Sequence, residues 1–545
     1  MTKPKIFDLV NDKSFSKEQL FKDVIAGIIV AIIALPLSVA LGISSGVSPE
    51  KGLITAIIAG FFISFLGGSK VQIGGPTGAF VVIVYGIIAE HGVDGLIIAT
   101  FMAGIILILF GICKLGSLIK FIPYPITVGF TSGIAVTLFT TQIKDFLGLS
   151  IDKVPSEFIP KVVSFISNIN TTSLITLLVG VFSLAIILLW PKINKTIPGS
   201  LVALIIATSV VYIFDLPVAT IGSQFGEISS KIPMPTIPKI DFGTVTKLIQ
   251  PAFTIAILAG IESLLSAVVS DKMIDDKHDS NMELIAQGVG NIGSALFGGI
   301  PATGAIARTA ANVKNGGRSP ISGIVHALTL LLIMKVFMPL AKFIPLTTLA
   351  SILMVVSYNM GEWKEMKEMI KAPKSDLIVL LATFFLTVIF DLVIAIEAGM
   401  LIAMCLFIRR MTVHTEVTEV VNHKNIKEDF KDNISIFEID GPLFFAVTDT
   451  LNDSILTESL NKILILKMNN TKVMDISAYN ALESIEKFCS KNNIKLILCG
   501  IQPQPFKILN NMGMVKRFKE SYITNCIDDA IDLANSIMLE KNSIA

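Results

Sequence analysis

The chain has 545 residues, of which 52% are hydrophobic and 16% charged. Ordinary soluble domains carry about 25% charge, so these residues cannot cover a soluble surface and point instead to a membrane protein. The net charge of +1 argues against a nucleic-acid partner.

The first 24 residues lack a basic–apolar–small cleavage pattern, so no removable signal is expected. Ile6, Phe7, Leu9, Val10, Phe15, Leu20 and Phe21 suggest a short amphipathic helix on the membrane surface within segment 1–22. Apolar stretches long enough to span a bilayer, or broken by Gly and Pro, start near residues 24, 50, 76, 92, 123, 171 and 197. A second set starts near 247, 281, 303, 317, 344, 374 and 392. The pattern predicts an α-helical polytopic protein of about fourteen spans, or twelve if the short segments at 76 and 303 only re-enter the membrane. Residues 23–218 form a first repeat, 219–245 an extracytoplasmic connection and 246–411 a second repeat. Lys and Arg concentrate in loops on the side of the N-terminus, including Lys70, Lys114, Lys192, Lys272, Lys314, Arg318 and Lys364. The positive-inside rule then places both termini in the cytoplasm of a multi-pass inner-membrane protein.

After Arg410 the chain turns polar. ISIFEI (434–439), ILILKM (463–468) and IKLILCG (494–500) read as strands, and ALESIEKFCSKN and DDAIDLANSIMLEK as amphipathic helices. A small cytoplasmic α/β domain over 425–540 follows. The five cysteines form no C-x-x-C pair, and three lie in this polar part, which fits free thiols in a reducing compartment.

The membrane part repeats itself weakly. GGPTGAF (74–80) and GGIPATGAI (298–306) each lie about fifty residues after the start of their half, at the head of a short apolar helix. Seven spans per half is odd, so the second half is inverted relative to the first. Interrupted helices at matching places in inverted halves mark the binding site of a transporter. Pro76 and Pro301 fit the first turn of a helix, where no backbone donor is lost. Each helix would begin inside the membrane with unpaired N–H groups and a positive dipole end. Two such ends make an anion site. The backbone donors of Gly78, Gly304, Ala305 and Ile306, with the hydroxyls of Thr77 and Thr303, are the groups expected to face the ligand.

Arg308, one turn further, either attracts the anion or pairs with Glu262. Glu262 lies mid-span in AILAGIESLLSAVVSD, with Ser266 one turn on. Together they would accept a proton or help to hold Na⁺; a structural ion pair between Glu262 and Arg308 is the alternative. Asp391 and Glu397 read as boundary or packing groups and His326 as a packed residue. DDKHD (275–279) reads as a solvated loop. With no zinc motif, nucleotide loop or catalytic triad, neither enzyme activity nor a cofactor is expected.

These segments together resemble the SulP (sulfate permease) family of anion transporters over nearly the whole chain. The resemblance rests on ALPLSVALGISSGVSPEKGLITAIIAGF, VQIGGPTGAF, GIESLLSAVVSD and GGIPATGAIARTAANVKNGGRSPISG, and on a tail similar to a STAS domain. It implies two inverted seven-span repeats divided into a core and a gate domain, homodimers, and an elevator-like shift of the core. It places the anion against Thr77, against Gly304, Ala305, Ile306, Ala307 and Arg308, and beside Leu37 and Leu41. Many members carry Gln where this chain has Leu37. Glu262 looks like the acidic residue of proton-coupled members, whereas Na⁺-dependent bicarbonate members carry Asp there. In MDISAYNAL (474–482), Asp475 and Ser477 match the Asp-x-Ser-Gly of related domains, with Ala478 replacing Gly. Ser477 is then either a regulatory phosphorylation site, with a regulatory protein as partner, or a helix-capping serine. The expected function is H⁺-coupled uptake of a small inorganic anion, sulfate first. Bicarbonate or a C4-dicarboxylate, with H⁺ or Na⁺ coupling, and a passive channel or exchanger are the alternatives. Carriage of nucleobases on the same fold is disfavoured by Arg308 and by the STAS-like tail.

Overall fold

The computed structural model describes residues 3–11, 16–117, 122–151, 154–194, 197–238, 242–390, 392–420, 433–456, 461–518 and 522–544. It divides into two compact units, Met1–Met400 and Leu401–Ala545. The short surface helix α1 (Ile6–Asn11) comes first. The first half then runs α2 (Lys17–Ser44), α3 (Pro49–Leu66), β1 (Gly74–Gly75), α4 (Ala79–Ile112), α5 (Tyr124–Thr141), α6 (Ile143–Leu147), α7 (Phe158–Ser167), α8 (Leu174–Ile193) and α9 (Gly199–Ile213). After α10 (Ile221–Phe225), the second half runs α11 (Phe242–Ile274), α12 (Ser280–Leu296), β2 (Thr303–Gly304), α13 (Ile306–Lys314), α14 (Ile321–Phe337), α15 (Leu346–Met360), α16 (Trp363–Met369), α17 (Lys374–Ile389) and α18 (Leu392–Val413).

Local chemistry sets several of these ends. Ser16 Oγ accepts from Gln19 N at 3.1 Å to cap α2, and Asp279 accepts from Asn281 N and Met282 N, both at 3.0 Å, to cap α12. Gly92, at φ +71°, breaks α4 into two spans at the predicted start. Among the described residues, seven helices are long and apolar enough to cross a membrane. Helices α9, α12, α13, α15 and α17 are shorter than 18 residues, down to the nine of α13. Asp391 lies outside the described residues, and Glu397 is exposed on α18.

The packing exchanges partners between halves as inverted repeats require. α3 packs on α14 as α12 packs on α4, α2 on α14 as α11 on α4, and α5 on α17 as α15 on α8. Small residues permit the closest approach. A Cβ on Gly104 would stand 2.7 Å from Gly288 O, so α4 and α12 touch backbone to backbone. Two buried carboxylates tie the ends together. Glu283 accepts from Gly68 N (2.9 Å), Ser69 N (3.1 Å) and Gln287 Nε2 (2.8 Å). Asp23 accepts from Arg318 N and Ser319 Oγ, both at 2.6 Å. DDKHD is likewise consumed structurally, with Asp276 paired to Lys70 at 3.1 Å and Asp279 serving as the α12 cap.

The second unit contains β3 (Glu416–Glu419), β4 (Ile434–Asp440), α19 (Thr448–Leu456), β5 (Ile463–Lys467), α20 (Ile476–Lys491), β6 (Lys495–Cys499), α21 (Pro503–Asn511), α22 (Met514–Arg517), β7 (Ile523–Thr524) and α23 (Ile527–Ile544). The sheet order is β3-β4-β5-β6-β7, antiparallel at β3–β4 and parallel elsewhere. Alternation decides the faces. Phe437, Leu464, Leu466 and Leu498 pack with Leu482 and Ile485 of α20. Ile436, Ile463, Ile465 and Ile497 pack with Ile531 and Met538 of α23.

Candidate functional site

The two Gly-Gly/Pro/Thr-Gly-Ala segments meet. β1 and β2 pair antiparallel, Gly74 opposite Gly304 and Gly75 opposite Thr303. This pairing sets where each following helix begins, and it corrects the expectation for the prolines. α4 starts at Ala79 and α13 at Ile306, so Pro76 and Pro301 precede the helices rather than occupying their first turns.

It also changes which donors remain. Gly304 N donates to Ser263 Oγ at 2.9 Å and Ala305 N to Ile73 O at 2.9 Å, so neither amide is free for a ligand. The Thr303 hydroxyl is held by Ser263 Oγ (2.7 Å) and Ala259 O (3.2 Å) and is fully buried. In α13 the first backbone bond inside the helix is Thr309 N to Ala305 O at 2.9 Å. The amides of Ile306, Ala307 and Arg308 therefore find no backbone acceptor among the described residues. In α4 the first bonds come from Phe80 N and Val81 N, which leaves the amides of Gly78 and Ala79 unclaimed in the same way. Ile306 and Ala307 are exposed, and Thr77 is half-buried.

Arg308 is 2% exposed, and its Nη2 donates to Pro76 O at 2.8 Å. Its Nε and Nη1 have no partner among the described residues. Gly75, at φ +155°, makes room for it, because a Cβ there would collide with Arg308 Nη1. The alternative reading, an ion pair with Glu262, is not found: the Glu262 carboxylate accepts from Thr77 Oγ1 at 2.9 Å. Ser266 does not join Glu262 either, since its hydroxyl donates to Thr309 Oγ1 at 3.4 Å. Leu41 is 1% exposed and belongs to an apolar cluster with Val81, Leu138 and Leu353, against which half-buried Leu37 packs. His326 is fully buried, as expected of a packed residue.

Sequence reading missed the groups that hold the crossing together. Ser263 receives Gly304 N on its hydroxyl and Gln72 Nε2 on its carbonyl at 3.1 Å. Thr309 Oγ1 accepts from Ile73 N at 3.1 Å. Asn291 binds Ala302 through both its amide oxygen and nitrogen at 2.9 Å. One signal was available: Ala259, Glu262, Ser263 and Ser266 fall at helical spacing on one face of α11. In the second unit, Asp475 rather than Ser477 caps α20, accepting from Ala478 N at 2.9 Å, and it also accepts from Phe445 N at 2.9 Å. Ser477 sits half-buried in the first turn.

Fold and site define a membrane transporter of two inverted halves whose crossing segments carry unclaimed backbone donors. The sulfate permease family model matches residues 20–383 and the STAS domain model residues 425–530. YvdB of Bacillus subtilis (strain 168), named provisionally as a sulfate transporter, is 44% identical over 95% of this chain and 98% of its own. The bicarbonate transporter BicA of Picosynechococcus is 31% identical, covering 91% of each chain. Among solved structures, the transmembrane domain of a cyanobacterial BicA superposes with a TM-score of 0.65 at 31% identity, over 70% of this chain and 98% of that one. The murine Slc26a9 anion transporter in its inward-facing state matches in fold with a TM-score of 0.87 at 17% identity, over 98% and 94%. The chain belongs to the sulfate permease family and is an anion transporter with a C-terminal STAS domain, not an enzyme.

Proposed function

We propose that this transporter carries a small inorganic anion, sulfate first, by H⁺ symport through an elevator-like movement of a core domain against a gate domain. The observation that carries this reading is the pair of helix starts joined by β1 and β2. Unclaimed amides of Gly78 and Ala79 lie on one side, those of Ile306, Ala307 and Arg308 on the other, with two free nitrogens of a buried guanidinium beside them. Such a set binds an oxyanion from fixed dipoles and one fixed charge. Thr77 completes it, while Gly304, Ala305 and Thr303 build its frame and Leu37 and Leu41 back it. Glu262, hydrogen-bonded to Thr77, is the proton-coupling group, so the coupling carboxylate touches a residue of the anion site directly. Ser266 acts at one remove through Thr309.

Residues 23–218 and 246–411 form the two repeats around the 219–245 connection, both termini face the cytoplasm, and the working unit is a homodimer in the lipid bilayer. Ser477 is a regulatory phosphorylation site on the STAS domain, in a helix first turn where a phosphate meets unpaired amides and a favourable dipole. A second reading, bicarbonate as cargo, is favoured by the 31% identity to BicA over most of both chains.

Uptake of labelled sulfate, bicarbonate and succinate into proteoliposomes, with and without an inward proton gradient, tests these readings. Saturable, gradient-stimulated sulfate uptake, with the stimulation lost in Glu262→Gln, is the expected result. Uptake indifferent to the gradient points to a channel or exchanger and refutes symport.

A further inference from the structure

A cavity of about 300 Å³ opens beside the helix starts and belongs to none of the residues assigned above. It lies within the first unit, between the end of α2, the first turns of α4, the end of α5 with α6, and α7 and α10. Its position relative to the anion site follows from two helices. On α4, Gly78 is at the site, and Val81, whose amide donates to Gly78 O, lines the cavity. On α5, Leu138 packs over Gly78, and Thr141, whose hydroxyl donates to Leu138 O at 2.6 Å, lines the cavity. The cavity floor is therefore about one helical turn, roughly 5 Å, from the unclaimed amides. Val81 and Leu138, both essentially fully buried, form the partition.

The wall is built for a negative guest. Lys161 of α7 is 6% exposed and lines the cavity, yet no hydrogen bond or ion pair to its ammonium exists among the described residues. Its Nζ stands over the Tyr85 ring, 5.9 Å from the centroid. A lysine so enclosed normally has a carboxylate partner, because an unpaired ammonium out of water is costly. Lys144 of α6 adds a second cation and Asp145 a carboxylate, an excess of one positive charge among the described lining residues. The hydroxyls of Ser44, Tyr85 and Thr141 in the wall are fixed by donating to protein acceptors, so the lysines carry the attraction. Gln142, 2% exposed, donates to Thr141 Oγ1 at 2.6 Å and accepts from Ser44 Oγ at 3.3 Å, which bridges the ends of α5 and α2. The Tyr85 hydroxyl is committed to Val154 O at 3.0 Å, and both residues line the cavity.

We propose that this cavity is a second anion site, an entry station in which Lys161 holds the cargo anion before it passes Val81 and Leu138 to the helix starts. The proposal rests on the anion-transport reading for its place in the cycle. For its ligand class, a small oxyanion, it needs only the buried ammonium, unpaired among the described residues. Because the station precedes the amide site, Lys161 governs capture and leaves the later translocation step alone.

Two measurements on the full-length protein test it. In proteoliposomes with labelled sulfate, Lys161→Gln raises KM about fivefold with kcat within about twofold of wild type, the size of one screened charge contact, while Lys161→Arg and the exposed control Lys364→Gln leave KM unchanged. An unchanged KM in Lys161→Gln, or equal damage from Lys161→Gln and Lys161→Arg, overturns the station. The second measurement is amine acylation read by mass spectrometry in detergent. Sulfate is expected to slow modification of Lys161 about threefold or more and to leave Lys364 unaffected, since an ion paired to the ammonium blocks its attack. No protection, or a Lys161 that never reacts, refutes an open anion-holding cavity. A wild-type protein that transports none of the three test anions defeats the transport reading alone, and the protection result then decides the station by itself.

Discussion

Gly78→Ala isolates the steric demand at the proposed anion site from every other variable. Gly78 has φ −61° and ψ −27°, an ordinary helical conformation, so alanine carries no backbone penalty there. The added Cβ would stand 2.6 Å from Leu138 Cδ2 and 3.6 Å from Met360 Sδ. Carbon atoms in contact normally sit about 3.5–4.0 Å apart, so the first approach is short by about 1 Å. Leu138 is fully buried and cannot swing into open space, so either α4 must withdraw or α5 must move. Overpacking of this kind costs about 1–3 kcal/mol. If that strain falls on the helix end that meets the anion, kcat/KM drops about 5- to 150-fold, at 1.4 kcal/mol per factor of ten. The assay is initial-rate sulfate uptake in proteoliposomes, with melting temperature measured in parallel. Gly78→Ala/Leu138→Ala removes the obstructing methyl and should recover most of the rate. The reasoning fails if Gly78→Ala transports normally, or if the double variant is no better than the single one at equal stability.

Asn291→Ala should cost about 1–3 kcal/mol by leaving both the Ala302 N–H and C=O buried without partners, read as a lowered melting temperature in detergent. In the STAS domain, the side chains of Lys487 and Arg517 hold the Glu483 carboxyl down to about 2, from 4.5. A depressed carboxylate stabilises the fold above its unfolded value and loses that contribution as pH falls from about 4.5 through about 2. Acid titration of thermal stability should therefore flatten over that window in Glu483→Gln. Burial pushes the thiols of Cys489 and Cys499 up to about 11 and about 12. A thiol-selective maleimide near neutral pH should label exposed Cys113 and spare both until the domain unfolds.

The span starts were legible because bilayer thickness imposes a length and a polarity that no soluble context does, and Gly92 marked the break in α4 as glycine should. The C-terminal strands were legible because alternation in ISIFEI and ILILK is a local property. What could not be read locally was the crossing. Placing Pro76 and Pro301 in helix first turns follows from the proline rule, and it fails because strand pairing holds Gly74 and Gly75 just before Pro76 and Thr303 and Gly304 just after Pro301. Gly74 meets Gly304 across 230 positions of sequence, which no periodicity reveals. The same remote approach takes Ala305 N to Ile73 O and gives Arg308 the Pro76 carbonyl as its acceptor, while Ser263 of α11 takes Gly304 N. Ser263 was overlooked for the opposite reason: Glu262 beside it is the conspicuous residue, although the serine makes the contacts that shape the crossing.

Because β1 and β2 hydrogen-bond the two halves at the very point where the cargo would rest, the cradle cannot be pulled open from one side. In the proposed elevator movement it would travel as a rigid carriage whose shape is the same at departure and arrival. A carriage of that kind offers its passenger equal affinity at both faces of the membrane. On the symport reading accumulation would then come wholly from the ion gradient, and reversing that gradient should run the carrier backwards.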